Sequence, residues 1–202
     1  RVEMLHGLQL WVALPDAVRD DPHGFQHYAP PSVPLTDPAG AAVGSMKVFV
    51  GTLGGSTADI VTATPLMGAE VIIEPRASVD LDVDATFEHG VLLDTDALEV
   101  NGVAIGRSSL AYVGPGATRL ELVNTTDVPA RVVVLGGEPF EEDVIMWWNF
   151  VGRTHDEIVG YREEWQERAE RFGSVDGWGS AEWIPAPPLP NSRLKPRKRP
   201  QR

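Results

Sequence analysis

The sequence predicts an all-β sandwich or barrel with one helix near its C-terminus. Three observations carry this reading. From residue 46 to 135, eight or more short β-branched or apolar runs follow one another, bounded by Gly, Pro or Asn turn signals at about 8–12-residue spacing. No helical periodicity interrupts them. From Thr154 the apolar spacing changes to steps of three and four, the mark of an amphipathic helix.

Leu8-Gln9-Leu10-Trp11-Val12-Ala13-Leu14 places Leu8, Leu10, Val12 and Leu14 on one face at period two, which predicts a strand. Nothing before it in this chain offers a partner, so it is expected to belong to a domain whose other strands lie upstream. The chain is accordingly read as a fragment or a late-starting gene product. Residues 16–45 are rich in Pro and Gly (Pro22, Gly24, Pro30, Pro31, Pro34, Pro38, Gly40 and Gly44) and predict a surface connection between two domains.

Met46–Thr52, Ile60–Thr64 and Gly68–Ile73 are then expected as strands. Val79-Asp80-Leu81-Asp82-Val83-Asp84-Ala85 alternates strictly, one face for a core and one for water. Gly90–Leu93 and Leu98–Val100 follow. Asn101-Gly102 predicts a type I′ hairpin into Val103–Ile105, because both central residues need positive φ. Leu110–Val113, Leu120–Asn124 and Arg131–Leu135 complete the set, with turns at Gly114-Pro115-Gly116 and Asp127-Val128-Pro129.

Thr154-His155-Asp156-Glu157 has the form of a capping box. Ile158, Tyr161, Trp165, Ala169 and Phe172 form one apolar stripe, and Gly173 is placed to end the helix. Glu164 with Arg168 and Glu167 with Arg171 are expected as four-residue ion pairs. Gly160 inside the helix costs about 1 kcal/mol against Ala. Order is expected to fade after Trp183-Ile184, leaving 174–202 as a Pro-rich basic tail, disordered in solution.

Composition narrows the chemistry. The 202 residues are 43% apolar and 23% charged, with no Cys. Disulfides, thiolate nucleophiles and Cys-ligated zinc or iron–sulfur sites are thereby excluded from this chain, and a reducing, cytoplasmic setting is expected. No apolar run approaches the length of a spanning helix. The net charge of −12 is unevenly spread: residues 191–202 carry Arg193, Lys195, Arg197, Lys198, Arg199 and Arg202 and no acid, so the other 190 residues stand at −18. So acidic a body repels nucleic acid, leaving the tail as the one segment suited to phosphate or to folding back on the body.

Of five His residues, none falls in an H-x-H or H-E-x-x-H pattern. His23 and His27 have helical spacing but sit among Pro and Gly, which predicts a surface loop. His155 is expected as a solvated first-turn residue, and His6 as a packed or capping one. Asp80, Asp82 and Asp84 are expected on a solvated face, since calcium needs more oxygen ligands and a looped backbone. Gly51–Gly55 and Gly114–Gly116 lack the helix or Lys of a phosphate cradle. Ser45, Ser56, Ser108 and Ser109 have no nucleophile-elbow context. No catalytic, cofactor-binding or metal-ligating residue is assigned. Trp147-Trp148-Asn149-Phe150 is expected to pack in a core or between domains, or else to meet a partner.

His6-Gly7-Leu8-Gln9-Leu10-Trp11-Val12-Ala13-Leu14-Pro15 resembles the signature that ends the first barrel of pirin-family proteins. Leu135-Gly136-Gly137-Glu138-Pro139-Phe140-Glu141-Glu142, Trp148-Asn149-Phe150-Val151 and Asp156-Glu157-Ile158 resemble that family's second barrel end and closing helix, and Thr64-Pro65 fits its second-domain start. The resemblance spans roughly residues 6–172. It implies an all-β cupin-like jelly-roll (double-stranded β-helix) barrel with a C-terminal capping helix. The implied division is 1–15 for the last strand of a truncated N-terminal barrel, 16–45 for the connection, 46–173 for the C-terminal barrel plus helix, and 174–202 for the tail.

In that family the N-terminal barrel holds Fe(II) through three His and one Glu, and some members are quercetin 2,3-dioxygenases. Those ligands lie upstream of the signature; Glu3 is the one residue here that could stand for the carboxylate, and it is too close to His6. The second barrel usually carries no metal. Here Val79–Ala85 stands where an active cupin shows its His pair, Arg119 where a fourth ligand is expected, and His89 alone cannot hold a metal. The implied partners are the N-terminal barrel of the same protein and, for the parent enzyme, a flavonol-like molecule. The alternative is a non-catalytic regulatory module of the transcription co-regulator kind with a protein partner, or an inactive paralogue.

Overall fold

The structure is a computed structural model that describes residues 7–173 and 183–196. Expectations for Glu3, His6, residues 174–182 and the basic side chains from Arg197 onward lie outside the described residues. The chain forms two compact units: one is Leu14–Phe140, the other comprises the residues up to Ala13 and those from Glu141 on.

The first unit is built on two antiparallel sheets. The larger has strand order β1-β2-β5-β12-β7-β10: β1 (Val33–Thr36), β2 (Ala42–Val50), β5 (Leu66–Ile73), β12 (Ala130–Gly137), β7 (Glu88–Leu93) and β10 (Leu110–Val113). The smaller has order β6-β11-β8-β9: β6 (Ser78–Asp82), β11 (Arg119–Val123), β8 (Ala97–Val100) and β9 (Val103–Gly106). A short hairpin, β3 (Thr52–Leu53) with β4 (Ser56–Thr57), stands apart. Period-two alternation aims Val71, Ile73, Val91, Leu93, Val132 and Val134 of one sheet and Leu81, Leu98, Leu120 and Leu122 of the other into one shared core. Each such aliphatic side chain contributes about 1.5–3 kcal/mol on burial. The expected hairpin forms: Val100 pairs with Val103 across Asn101 at φ 49° and Gly102 at φ 75°.

Three expectations for this unit are corrected. The domain connection does not run to residue 45, because Val33–Thr36 pairs with Ala42–Val50 as the outermost strand of the larger sheet. Pro34 concealed it; an edge strand tolerates the missing N–H that a central strand would not. Ile60–Thr64 is irregular, Val61 is exposed, and the Val61 N–H and C=O bond the Gln26 side chain, both at 3.0 Å. The β6 strand stops at Asp82, because Asp84 turns the chain by accepting from the Thr86 N–H at 2.8 Å and the Thr86 hydroxyl at 2.7 Å. Separately, Leu8–Leu14, all but its last residue in the other unit, is irregular here, with Leu8, Leu10, Trp11, Val12 and Leu14 exposed.

In the second unit, β13 (Ile145–Trp147) and β14 (Phe150–Gly152) make a hairpin, followed by α1 (His155–Gln166) and a 3-10 turn at Glu170–Phe172. Thr154 caps α1 as expected, its hydroxyl accepting from the Glu157 N–H at 3.2 Å. Glu157 instead reaches back one residue further, to the Arg153 N–H at 2.7 Å. The helix stops before Ala169 and Phe172. Arg168 takes φ 57°, its N–H bonds the Trp165 carbonyl at 3.1 Å, and the Ala169 N–H bonds the Glu164 carbonyl at 2.9 Å. This is a Schellman ending with Arg in the left-handed position. The predicted ion-pair spacing is therefore broken: Arg171 lies 3.8 Å from Glu164, and the Arg168 guanidinium lies over the Trp183 ring. A methyl on Gly160 would meet open space, so packing does not require that glycine.

The tail expectation is corrected over residues 183–196. Ala186 is buried, and Leu189 and Leu194 pack with Ile158, Tyr161 and Trp165. Trp165 Nε1 donates to the Ile184 carbonyl at 2.9 Å, Arg162 Nε to the Pro187 carbonyl at 2.7 Å, and the Leu194 N–H to His155 Nδ1 at 3.1 Å. His155 is thus a strap acceptor rather than a free solvated residue. Proline fixes its own φ, so an extended Pro-rich segment loses less entropy on docking than its composition suggests.

Candidate functional site

Within the barrel one titratable side chain is fully buried. His89, on β7 opposite Gly136 of β12, is 1% exposed. Neither Nδ1 nor Nε2 has a hydrogen-bond partner. The ring centroid lies 6.3 Å from that of Phe87, and Met67 and Gly136 line its inner side. Burial pushes the imidazole below its usual range, and the charge of Asp84 opposes that only in part. The ring is therefore neutral at neutral pH, with one N–H and one lone pair unsatisfied, an arrangement costing about 1–3 kcal/mol.

The residues around His89 do not fit a mononuclear iron centre. Such a centre needs two or three imidazoles with a carboxylate converging on one point. The shared core is built of aliphatic and methionine side chains, and no group of three His, Asp or Glu side chains converges among the described residues. The other candidates lie apart from His89. Asp80 faces outward and is ion-paired with Arg119, whose Nε donates at 2.6 Å. Arg119, at the fourth-ligand position, is thus on the outer face of β11, where the hydrogen bond to Asp80 holds its guanidinium above the usual range. Asp84 is held below the carboxylate range by its Thr86 hydrogen bonds. His23 and His27 are exposed in an irregular segment.

Across the sheet from His89, alternation turns Glu88 and Gly90 outward. There the Tyr112 hydroxyl donates to Glu88 Oε1 at 2.8 Å. These residues and His89 itself, with Leu66, Leu135, Gly136 and Gly137, line a shallow groove of about 310 Å³.

Sequence reasoning missed two features. Asn124, 1% exposed, donates from Nδ2 to the carbonyls of Ile73, Glu74 and Val128 at 3.1, 3.0 and 2.8 Å, and its Oδ1 accepts from the Thr126 N–H and hydroxyl. Its signal is an Asn at a strand end before a Thr-Thr-Asp turn. In the second unit, Trp148-Asn149 is the turn of the β13–β14 hairpin, and Trp148 and Phe150 border a cavity with Trp165, Phe172 and Trp183.

Comparison with known proteins agrees with this architecture. The profile of the pirin C-terminal cupin domain matches residues 68–173. A Pseudomonas aeruginosa protein named "Putative quercetin 2,3-dioxygenase" is 36% identical over 185 residues, 92% of this chain and 56% of its own length. A Caulobacter vibrioides pirin-like protein is 26% identical, over 91% of this chain and 60% of its own. A crystal structure of quercetin 2,3-dioxygenase from Acinetobacter baumannii superposes with a TM-score of 0.79 at 30% identity, covering 93% of this chain and 60% of that one. The chain thus spans little more than half the length of these relatives. The two-sheet barrel is a cupin jelly roll with a C-terminal helix, and the chain belongs to the pirin family.

Proposed function

We propose that this chain is the C-terminal, metal-free half of a pirin-type bicupin, and that it supports an N-terminal barrel which holds Fe(II) and carries quercetin 2,3-dioxygenase-type chemistry. The observation that carries this reading is the filling of the barrel. Aliphatic side chains from both sheets fill one shared core, and the one buried imidazole of the barrel, His89, has no pair of His, Asp or Glu side chains converging with it among the described residues. Iron chemistry in the parent protein then falls to residues outside this chain, with a flavonol-like substrate. The name of the Pseudomonas relative supports that substrate class.

In this reading Leu8–Leu14 becomes the last strand of the N-terminal barrel. Its exposed Leu8, Leu10, Val12 and Leu14 support this, since they alternate as the apolar face of a strand does. The reading places the protein in the cytoplasm, supported by the absence of Cys; no helix among the described residues is long and apolar enough to cross a membrane.

The test is the longer protein carrying the sequence upstream of Arg1. It is expected to bind about one iron per chain and to take up oxygen with quercetin, while residues 1–202 alone do neither. Absence of iron from the longer protein, or iron retained by His89 in the shorter one, would overturn the proposal.

A further inference from the structure

Residues 183–196 run back along α1 as a strap, and its two halves are fastened differently. Three hydrogen bonds hold the first half. Trp165 Nε1 donates to the Ile184 carbonyl at 2.9 Å, the Ala186 N–H donates to Gln166 Oε1 at 2.8 Å, and Arg162 Nε donates to the Pro187 carbonyl at 2.7 Å. Ala186 itself is buried. Indole, carboxamide and guanidinium keep one protonation state from neutral pH into mild acid, so these fastenings do not respond to pH.

The second half hangs on a histidine. The Leu194 N–H donates to His155 Nδ1 at 3.1 Å, and Leu189 and Leu194 pack against the cluster of Ile145, Phe150 and Ile158. Beside that bond Arg193 Nη2 donates to Asp156 Oδ2 at 2.9 Å, but the two side chains are 64% and 73% exposed, and a pair so exposed holds little. His155 is half-buried and opens α1.

A backbone N–H can only donate, so in this contact Nδ1 offers its lone pair and the ring proton sits on Nε2. A second proton on the ring goes to Nδ1. It turns the acceptor into a donor aimed at another donor, and it adds a positive charge to the first turn of α1, where the helix dipole already disfavours one. The carboxylates of this neighbourhood are already engaged: Asp156 by Arg193, Glu157 by the Arg153 N–H, and Glu142 by the Arg153 guanidinium. Arg193 and Lys195, on either side of Leu194, add repulsion. We propose that His155 is a pH-sensitive clasp: neutral, it holds residues 189–196 along α1; protonated, it releases them while residues 184–187 stay docked. Release withdraws Leu189 and Leu194 from their cluster, so an apolar surface hidden at neutral pH is shown in mild acid. The clasp does not depend on an upstream barrel.

The test reads amide-exchange protection at both ends of the strap in the ¹⁵N-labelled 202-residue chain, at pH 7.5 and pH 5.5. These values bracket the ordinary histidine range and stay above that of carboxylates. Protection of the Leu194 N–H is expected to fall about tenfold, and that of Ala186 to stay within about twofold. In His155→Gln, which cannot take up the proton, Leu194 protection should differ by less than about twofold between the two pH values. Arg193→Ala should keep the step, since the ion pair is not the sensor. A fall of less than about threefold at Leu194 in the wild-type chain overturns the proposal. So does a step that survives in His155→Gln, or an equal fall at Ala186. Should His155→Gln not fold, the comparison of Leu194 with Ala186 in the wild-type chain decides alone.

Discussion

The β5–β12 ladder runs from Ala130 opposite Ile73 to Gly137 opposite Leu66, and its two ends treat a buried polar side chain in opposite ways. At the Ile73 end, the two amide hydrogens of Asn124 are shared among three carbonyls, and its Oδ1 accepts from Thr126. Near the Gly137 end, His89 is just as buried and bonds to nothing. Burial alone therefore says little about what a polar residue contributes. Asn124 is a fastener that ties three backbone carbonyls and the Thr126 turn to one side chain. His89 is a filler whose polarity costs stability in the folded barrel.

The sharpest way to break this comparison is to remove the fastener. Asn124→Ala removes the amide donor from the buried Ile73 carbonyl and from the Glu74 and Val128 carbonyls, of which the last two keep the Ala77 N–H and the Thr126 hydroxyl. The expected loss is about 3 kcal/mol, read as a shift in the urea midpoint at unchanged m-value. Asn124→Asp should do no better, because it turns a carboxylate toward those same oxygens. A loss below about 1 kcal/mol would mean that water or a local shift replaces the amide, and the contrast with His89 would fail.

The legible parts of the molecule are those where neighbouring residues carry the signal. Period-two burial, the Asn101-Gly102 turn and the Thr154 cap are local physics, and each forms where expected. Val33–Thr36 was not legible because Pro34 is a strand breaker everywhere except an edge, and edge position is a property of the whole sheet. Leu8–Leu14 shows the converse: its alternation is that of a strand, yet a strand needs a ladder that the described residues do not supply. The docking of residues 183–196 on α1 escaped composition because it depends on Trp165, Arg162 and His155 offering partners to a distant backbone. The aromatic motifs were visible as residues. Which of their N–H groups would stay unpaired was not, since pairing is decided in three dimensions.

The second expected effect is a pH dependence set by His89. Its folded pKa lies below the ordinary 6.5, so above that pH neither the folded nor the unfolded chain holds the extra proton and this group contributes no slope. Below about 6.5 the unfolded chain takes up a proton that the folded barrel refuses. Stability then falls with falling pH, by up to about 1.4 kcal/mol per pH unit, until the lowered folded pKa is reached. His89→Leu abolishes this part of the slope. At pH 8 it holds or raises stability by about 1 kcal/mol, since no orphaned donor remains. Urea unfolding of both proteins at pH 8, 7, 6 and 5.5 measures the difference. Parallel stability–pH curves would show that His89 is solvated after all.

The smallest effect probes how the barrel makes room for the ring. A Cβ on Gly136 would stand 3.0 Å from His89 Cδ2 and 3.1 Å from Met67 Cε. Both are side-chain ends, so they yield, but in a filled core they yield at a cost. Gly136→Ala is expected to lose about 1 kcal/mol despite the chain entropy that replacing glycine removes from the unfolded state. In the His89→Ala background the same methyl enters vacated space and should gain about 0.5 kcal/mol, from that entropy and from refilling part of the cavity. The coupling between the two sites is then about 1.5 kcal/mol, within the range for residues in contact. Additive losses would mean that the His89 ring does not rest against Gly136, and that backbone geometry rather than the imidazole calls for glycine at that position.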